Sequence, residues 1–170
     1  MIHRFLGVLS TIEKALSCAL LVALLISVML QVISRYVFNS PLAWTDEVSR
    51  FLLVWLTFIA AAYVMSERLH VTVDLAMAKL GVTAVAVVDT IATAVVVVGS
   101  GLLMVAGFTL LSDTAGVVAP ATQLPMPVIY SAGSVGFGLI ALHGIGTIIN
   151  NIRDPKSVPG GMENLEKEGL

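Results

Sequence analysis

The residues of this sequence that could do chemistry are few: three histidines, one cysteine and eleven acids. His3 is terminal. His70 and His143 fall toward the same end of the helices traced below, and two histidines so placed could ligate a haem axially. Haem-binding bundles set such histidines in facing helices, whereas His70 sits in a connection. The plainer reading is that His70 hydrogen-bonds at a surface and His143 packs beside small residues. Asp89 is the one acid inside a long apolar stretch. A bare carboxylate at a bilayer centre costs about 2.5–3.5 kcal/mol on insertion scales, so Asp89 is expected near headgroups or against protein. An ion-coupling carboxylate is its functional alternative. Asp46 and Glu47 could bind a cation, but Arg35 and Arg50 beside them favour ion pairing. Cys18, being alone, excludes an internal disulfide and a cysteine-based metal cluster. It reads as a small core-filling residue inside a helix. There is no glycine-rich phosphate loop, no zinc-ligand spacing and no nucleophile with a plausible base. The expectation is no catalytic, cofactor-binding or metal site, and a chain that is not an enzyme.

The elements that carry these residues are membrane helices. Of 170 residues, 58% are hydrophobic and 12% charged, and the mean hydropathy is +0.98. A soluble domain carries about 25% charged residues. The fold class is therefore an all-α integral membrane protein with four transmembrane helices. A net charge of −2 is too small to suggest a nucleic-acid partner. Helices are expected over residues 12–37, 44–67, 82–111 and 128–150. They form a membrane domain over 1–152, followed by a charged, flexible tail over 153–170. The first apolar run continues through Gln31 into Arg35 and Tyr36, longer than a signal peptide, so it reads as an uncleaved helix. Gln31 then needs a partner on a neighbouring helix. The third helix, about 45 Å long at 1.5 Å per residue, is too long for an upright span and should tilt. Gly116, Pro120, Pro125 and Pro127 make 113–127 a loop. The fourth helix is rich in small residues, and Ala132–Gly136 and Ser134–Gly138 have the spacing that lets helix backbones approach closely.

The most informative stretch is Arg35–Asp74, RYVFNSPLAWTDEVSRFLLVWLTFIAAAYVMSERLHVTVD. Charges cluster at both ends and are absent between Arg50 and Glu67. Asp46 and Glu47 precede Arg50 by four and three residues, a spacing that puts all three on one helix face. Thr45 suits the N-cap, which places both acids in the first turn, where the helix dipole favours anions. Trp44 suits the headgroup level. Pro41 is placed to begin the next helical segment, and 41–49 leaves room for a short interfacial helix before helix two. With four helices, Arg4, Lys14, Arg68, Lys79, Arg153, Lys156 and Lys167 share one side, against Arg35 and Arg50 on the other. Seven against two puts both termini in the cytoplasm.

Taken together, RYVF, WTDEVSRFLLVWLTF, the following Ala pair, HVTVD and the QLPMP segment before helix four resemble the small membrane subunit of tripartite ATP-independent periplasmic (TRAP) transporters, the DctQ-like family. Two positions depart from it: Ala60 stands where the family often has Gly, and Ser134-Val135-Gly136 replaces a frequent Pro-x-Gly. The resemblance implies a multi-pass protein of the bacterial or archaeal cytoplasmic (inner) membrane. It implies a large DctM-like membrane subunit, a DctP-like periplasmic binding protein and membrane lipids as partners. It also implies a sodium-driven importer of organic acids. Sodium and substrate would bind the large, elevator-type subunit, with this chain extending the stationary scaffold and holding no cofactor. Carried over residue by residue, Arg35, Trp44, Glu47 and Arg50 form a periplasmic-side cluster, beside which Asp46 stands by its spacing, and His70 and Asp74 form a cytoplasmic-side one. Both would brace the fold and make subunit or lipid contact. A haem-carrying membrane anchor of an oxidoreductase and an autonomous small channel are the alternatives.

Overall fold

The computed structural model describes residues 2–67 and 82–153, with side chains from Leu6 in the first helix and from Val87 in the third. Four helices account for nearly all of them: α1 (Ile2–Tyr36), α2 (Ala43–Ser66), α3 (Val82–Asp113) and α4 (Met126–Arg153). Each contains a stretch long and apolar enough to cross a membrane. The all-α, four-span architecture thus follows from the apolar runs. The 67–81 link, apart from Glu67, and the tail beyond Arg153 lie outside the described residues, and Arg68, His70 and Asp74 lie there too.

α1 starts at Ile2, well before the expected residue 12. Glu13 and Lys14 look like the polar edge of a span, but neither ends the helix. Glu13 is buried and partnered (below), and Lys14 Nζ lies 6.0 Å from the centroid of the Tyr63 ring on α2. The other end of α1 closes with Asn39 in the left-handed region (φ 50°). The Ser40 N–H returns to the Ser34 carbonyl at 3.1 Å. Asn tolerates that conformation better than most residues, which suits this closing geometry. The Ser34 hydroxyl, in turn, donates to the Ser40 carbonyl.

α2 begins directly at Ala43, with Leu42 as N-cap and no side-chain cap. Three expectations fail here, the third being Thr45 as N-cap. Residues 37–42 form a turn and not an interfacial helix, and Pro41 precedes the cap instead of opening the helix. Thr45 is already inside the first turn; its hydroxyl donates back to the Leu42 carbonyl at 2.7 Å. A helix of 24 residues rises about 36 Å, enough for a slightly tilted span.

The helices pack as a row and not as a closed bundle. α1 lies along α2, α2 along α4, and α4 along α3, while α1 meets α4 over only a short stretch. α4 is the helix that the others need, and its small residues explain why. Gly133 and Gly136 face Phe58 of α2; a Cβ at position 136 would sit 2.6 Å from Phe58 Cβ. Phe58 also meets Phe137 edge-to-face, ring centroids 5.2 Å apart. Toward α3, Ser134 abuts Gly107, Gly138 abuts Met104, and Gly144 abuts Val97. Toward α1, Gly146 abuts Leu6. Lipid tails are as apolar as these side chains, so helix association depends on close packing and polar contacts instead of burial from water. The outer faces of α1 and α3 remain apolar and exposed, as a lipid-facing edge requires.

Gly136→Ala should therefore open the α2–α4 seam and destabilise the chain by about 1–3 kcal/mol, the usual cost of overpacking. Gly99→Ala, where nothing lies within 4 Å, should be neutral or slightly stabilising. Thermal unfolding of both variants in detergent checks the contrast.

Candidate functional site

Several of the polar residues that the membrane helices bury are tied to another part of the chain. The strongest case is Glu47, in the second turn of α2. Its carboxylate accepts from the Ala121 N–H at 3.0 Å, the Thr122 N–H at 2.8 Å and the Thr122 hydroxyl at 2.9 Å. These donors sit in the 114–125 loop between α3 and α4. That loop is itself tightly folded. Val118 and Pro125 form an antiparallel bridge, and the Ala119 N–H bonds to the Leu124 carbonyl at 2.9 Å. Gln123 takes a positive φ of 57°. The turn at 120–123 leaves two successive amides pointing out of the loop, and a carboxylate is the natural acceptor for such a pair.

Glu47 was expected to pair with Arg50 or Arg35, and its carboxylate bonds neither. Successive helical residues point about 100° apart, so Glu47 faces the loop and is buried while Asp46 faces outward. Asp46 takes the arginine: its Oδ2 is 3.0 Å from Arg50 Nη2, with the side chains 56% and 66% exposed. Gln31 Nε2 donates to Asp46 Oδ1 at 3.4 Å, so the partner of Gln31 is on α2. Arg35 has no ion pair among the described residues. Trp44 is partly exposed beside this group.

At the opposite end, His143 of α4 is buried against Glu13 of α1, with Nε2 3.0 Å from both carboxylate oxygens. His143 Nε2 is thus committed within the chain, and His143 does more than pack beside small residues. Asp89 of α3 is also buried, and Asn151 Nδ2 of α4 donates to it at 2.6 Å. It therefore faces protein of its own chain. Between α1 and α2, the Ser49 hydroxyl donates to Ser27 Oγ at 2.9 Å, and Ser27 Oγ lies 3.2 Å from the Thr45 carbonyl. The Ser17 and Ser134 hydroxyls are buried with no hydrogen-bond partner among the described residues. Cys18 is exposed on α1, not core-filling, because α1 is an edge helix with one long neighbour. Among the described residues, no group of three or more His, Cys, Asp or Glu side chains could hold a metal.

The geometry describes a braced membrane slab, and the comparisons with known proteins say which. The family described as tripartite ATP-independent periplasmic transporters, DctQ component, matches residues 4–154. A Haemophilus influenzae protein named as a TRAP transporter small permease protein is 31% identical over 144 residues, 83% of this chain and 89% of that protein. The chain belongs to the DctQ family. It is a small permease subunit and a multi-pass protein of the inner membrane.

Glu13 and Thr122 both escaped the sequence reading of this DctQ chain. Glu13 stands at the very start of the helix expected over 12–37, where no partner is assigned to it. Extending α1 to its true start would have put a carboxylate inside the membrane, where it demands a partner. Thr122 carried no signal at all, since its role depends on a contact 75 residues away.

Glu47→Ala should free the 114–125 loop. Hydrogen exchange read by mass spectrometry should show the Ala121 and Thr122 amides losing protection, whereas Asp46→Ala, which removes only the exposed contacts to Arg50 and Gln31, should leave them unchanged. His143→Ala strands the Glu13 carboxylate and should cost about 3–5 kcal/mol, while replacing both residues by Leu should cost much less. Chemical or thermal unfolding of the single and double variants measures the difference.

Proposed function

We propose that this DctQ subunit is a stationary scaffold and carries no cargo itself. In this reading a large DctM-like subunit binds it within the membrane and moves as an elevator beside it. That subunit holds the sodium and substrate sites, and a DctP-like periplasmic protein delivers the substrate, an organic acid. Both termini face the cytoplasm, and the 37–42 and 114–125 loops face the periplasm.

The observation that carries the reading is the commitment of the buried carboxylates. Glu13 is held by His143, Glu47 by the 114–125 loop and Asp89 by Asn151, all within the chain. A coupling carboxylate must be free to exchange its ion or proton; these three are structural. The apolar edges of α1 and α3 fit a subunit that is surrounded by lipid and a larger membrane partner.

Co-expression with the large subunit should yield a stable complex. Proteoliposomes should show sodium-dependent, binding-protein-dependent uptake only when both membrane chains are present. Asp89→Asn, which keeps an acceptor for Asn151, should retain sodium dependence. A chain that moves solute alone, or an assembled Asp89→Asn complex without sodium coupling, would refute the scaffold role.

A further inference from the structure

Arg35 is a charged residue that the bracing scheme does not use. Its neighbour across the turn, Arg50, is paired with Asp46. Arg35 instead lines a cleft of about 300 Å³ between the end of α1 and the start of α2, together with Gln31, Pro41, Leu42, Ala43 and Asp46. Asp46 brings a negative charge to this wall, but that charge is offset by Arg50 at 3.0 Å. The cationic side of the cleft is left without a counter-charge among the described residues.

The setting of the cleft identifies the ligand chemistry. The apolar span of α1 ends at Tyr36, one residue beyond Arg35. Around it stand three aromatic side chains open to the surroundings: Tyr36 at 79% exposure, Phe38 at 72% and Trp44 at 43%. Aromatic rings of this kind collect at the headgroup level of a bilayer. α1 is also an edge helix of the row with an apolar, exposed outer face, so lipid can reach this end of the chain. An arginine at that depth, with its planar fork of donors, matches a phosphate.

From this charge complementarity and depth we infer that the Arg35 cleft binds the phosphate of an anionic phospholipid headgroup. Arg35 supplies the charge, and Gln31 supplies a polar wall. The site belongs to the single chain in a bilayer and does not depend on the scaffold role.

The full-length chain carrying Trp55→Phe leaves Trp44 as its sole indole, next to the cleft. Reconstituted in phosphatidylcholine, its fluorescence should be quenched more by acyl-brominated phosphatidylglycerol than by brominated phosphatidylcholine. The expected preference is about fivefold, the size for one arginine near an anionic surface. It should weaken as salt is raised. Arg35→Gln should abolish the preference, Arg35→Lys should keep most of it, and Arg50→Gln should leave it intact. Circular dichroism and a monodisperse elution profile confirm that each variant is folded. An unchanged preference in Arg35→Gln would overturn the inference. So would an equal loss in Arg50→Gln, which would mean a general surface charge effect. Displacement of the brominated lipid by millimolar inorganic phosphate would also overturn it, by making the ligand a free ion. Loss of the preference on adding the large subunit would assign Arg35 to a protein carboxylate and overturn it as well.

Discussion

Within a bilayer, a polar group that lacks a partner finds no water to replace it, and apolar faces gain nothing by leaving lipid for one another. The contacts between the described helices answer those two conditions, the Ser17 and Ser134 hydroxyls excepted. The helices can associate only where backbones come close enough for dense van der Waals contact, or where polar groups meet. α4 supplies the first through Gly133, Gly136, Gly138 and Gly144, whose missing side chains admit Phe58, Met104 and Val97. The second comes from a few buried contacts placed toward the helix ends.

The placement of those contacts follows from the row. α1 and α3 are each packed along one long neighbour, so each has one seam to hold it. The α1–α2 seam carries Ser27 and Ser49 near the 37–42 end, and Glu13–His143 ties α1 to α4 at the other. The α3–α4 pair is held at one end by Asp89–Asn151 and at the other by Glu47, which reaches from α2 to the loop that joins them. Between these contacts lie the close-packed glycines. Rotation of an edge helix away from the slab would therefore break a buried polar contact as well as the packing. In lipid a broken contact leaves the partner stranded, which is why a few such bonds suffice.

Much of the fold was legible because a membrane span is a composition signal. Charge-free runs bounded by Arg35, Glu67 and Asp113 mark where helices cross, and Pro and Gly mark where they cannot continue. The small-residue spacing of the last helix was visible too. What the spacing could not give was the identity of the residue filling each gap, because Phe58 and Gly136 are far apart in sequence. The polar contacts were the least legible. Asp46 and Glu47 are adjacent carboxylates with the same arginine in reach, and only the direction in which α2 turns decides that one is exposed and paired while the other is buried and bound to a loop. Glu13 and His143 are 130 residues apart, and neither has a local pattern that names the other.

Glu47 and His143 were misread in the same direction. Sequence reasoning looked for partners nearby along the chain, and assigned Glu47 to Arg50 or Arg35 and His143 to its small neighbours; for Asp89 it left headgroups and protein both open, and Asp89 meets protein. The structure joins each to a residue on another element, because local pairing leaves a helix free to drift from its neighbours and long-range pairing does not. An acid inside a membrane helix is tolerated when the same bond that satisfies it also holds two elements together. Glu13, Glu47 and Asp89 all meet that condition. A carboxylate serving that purpose is already engaged in the resting fold. Loading and releasing an ion at that position would require breaking the seam it secures, so bracing and coupling compete for the same group, and in this chain the contacts favour bracing.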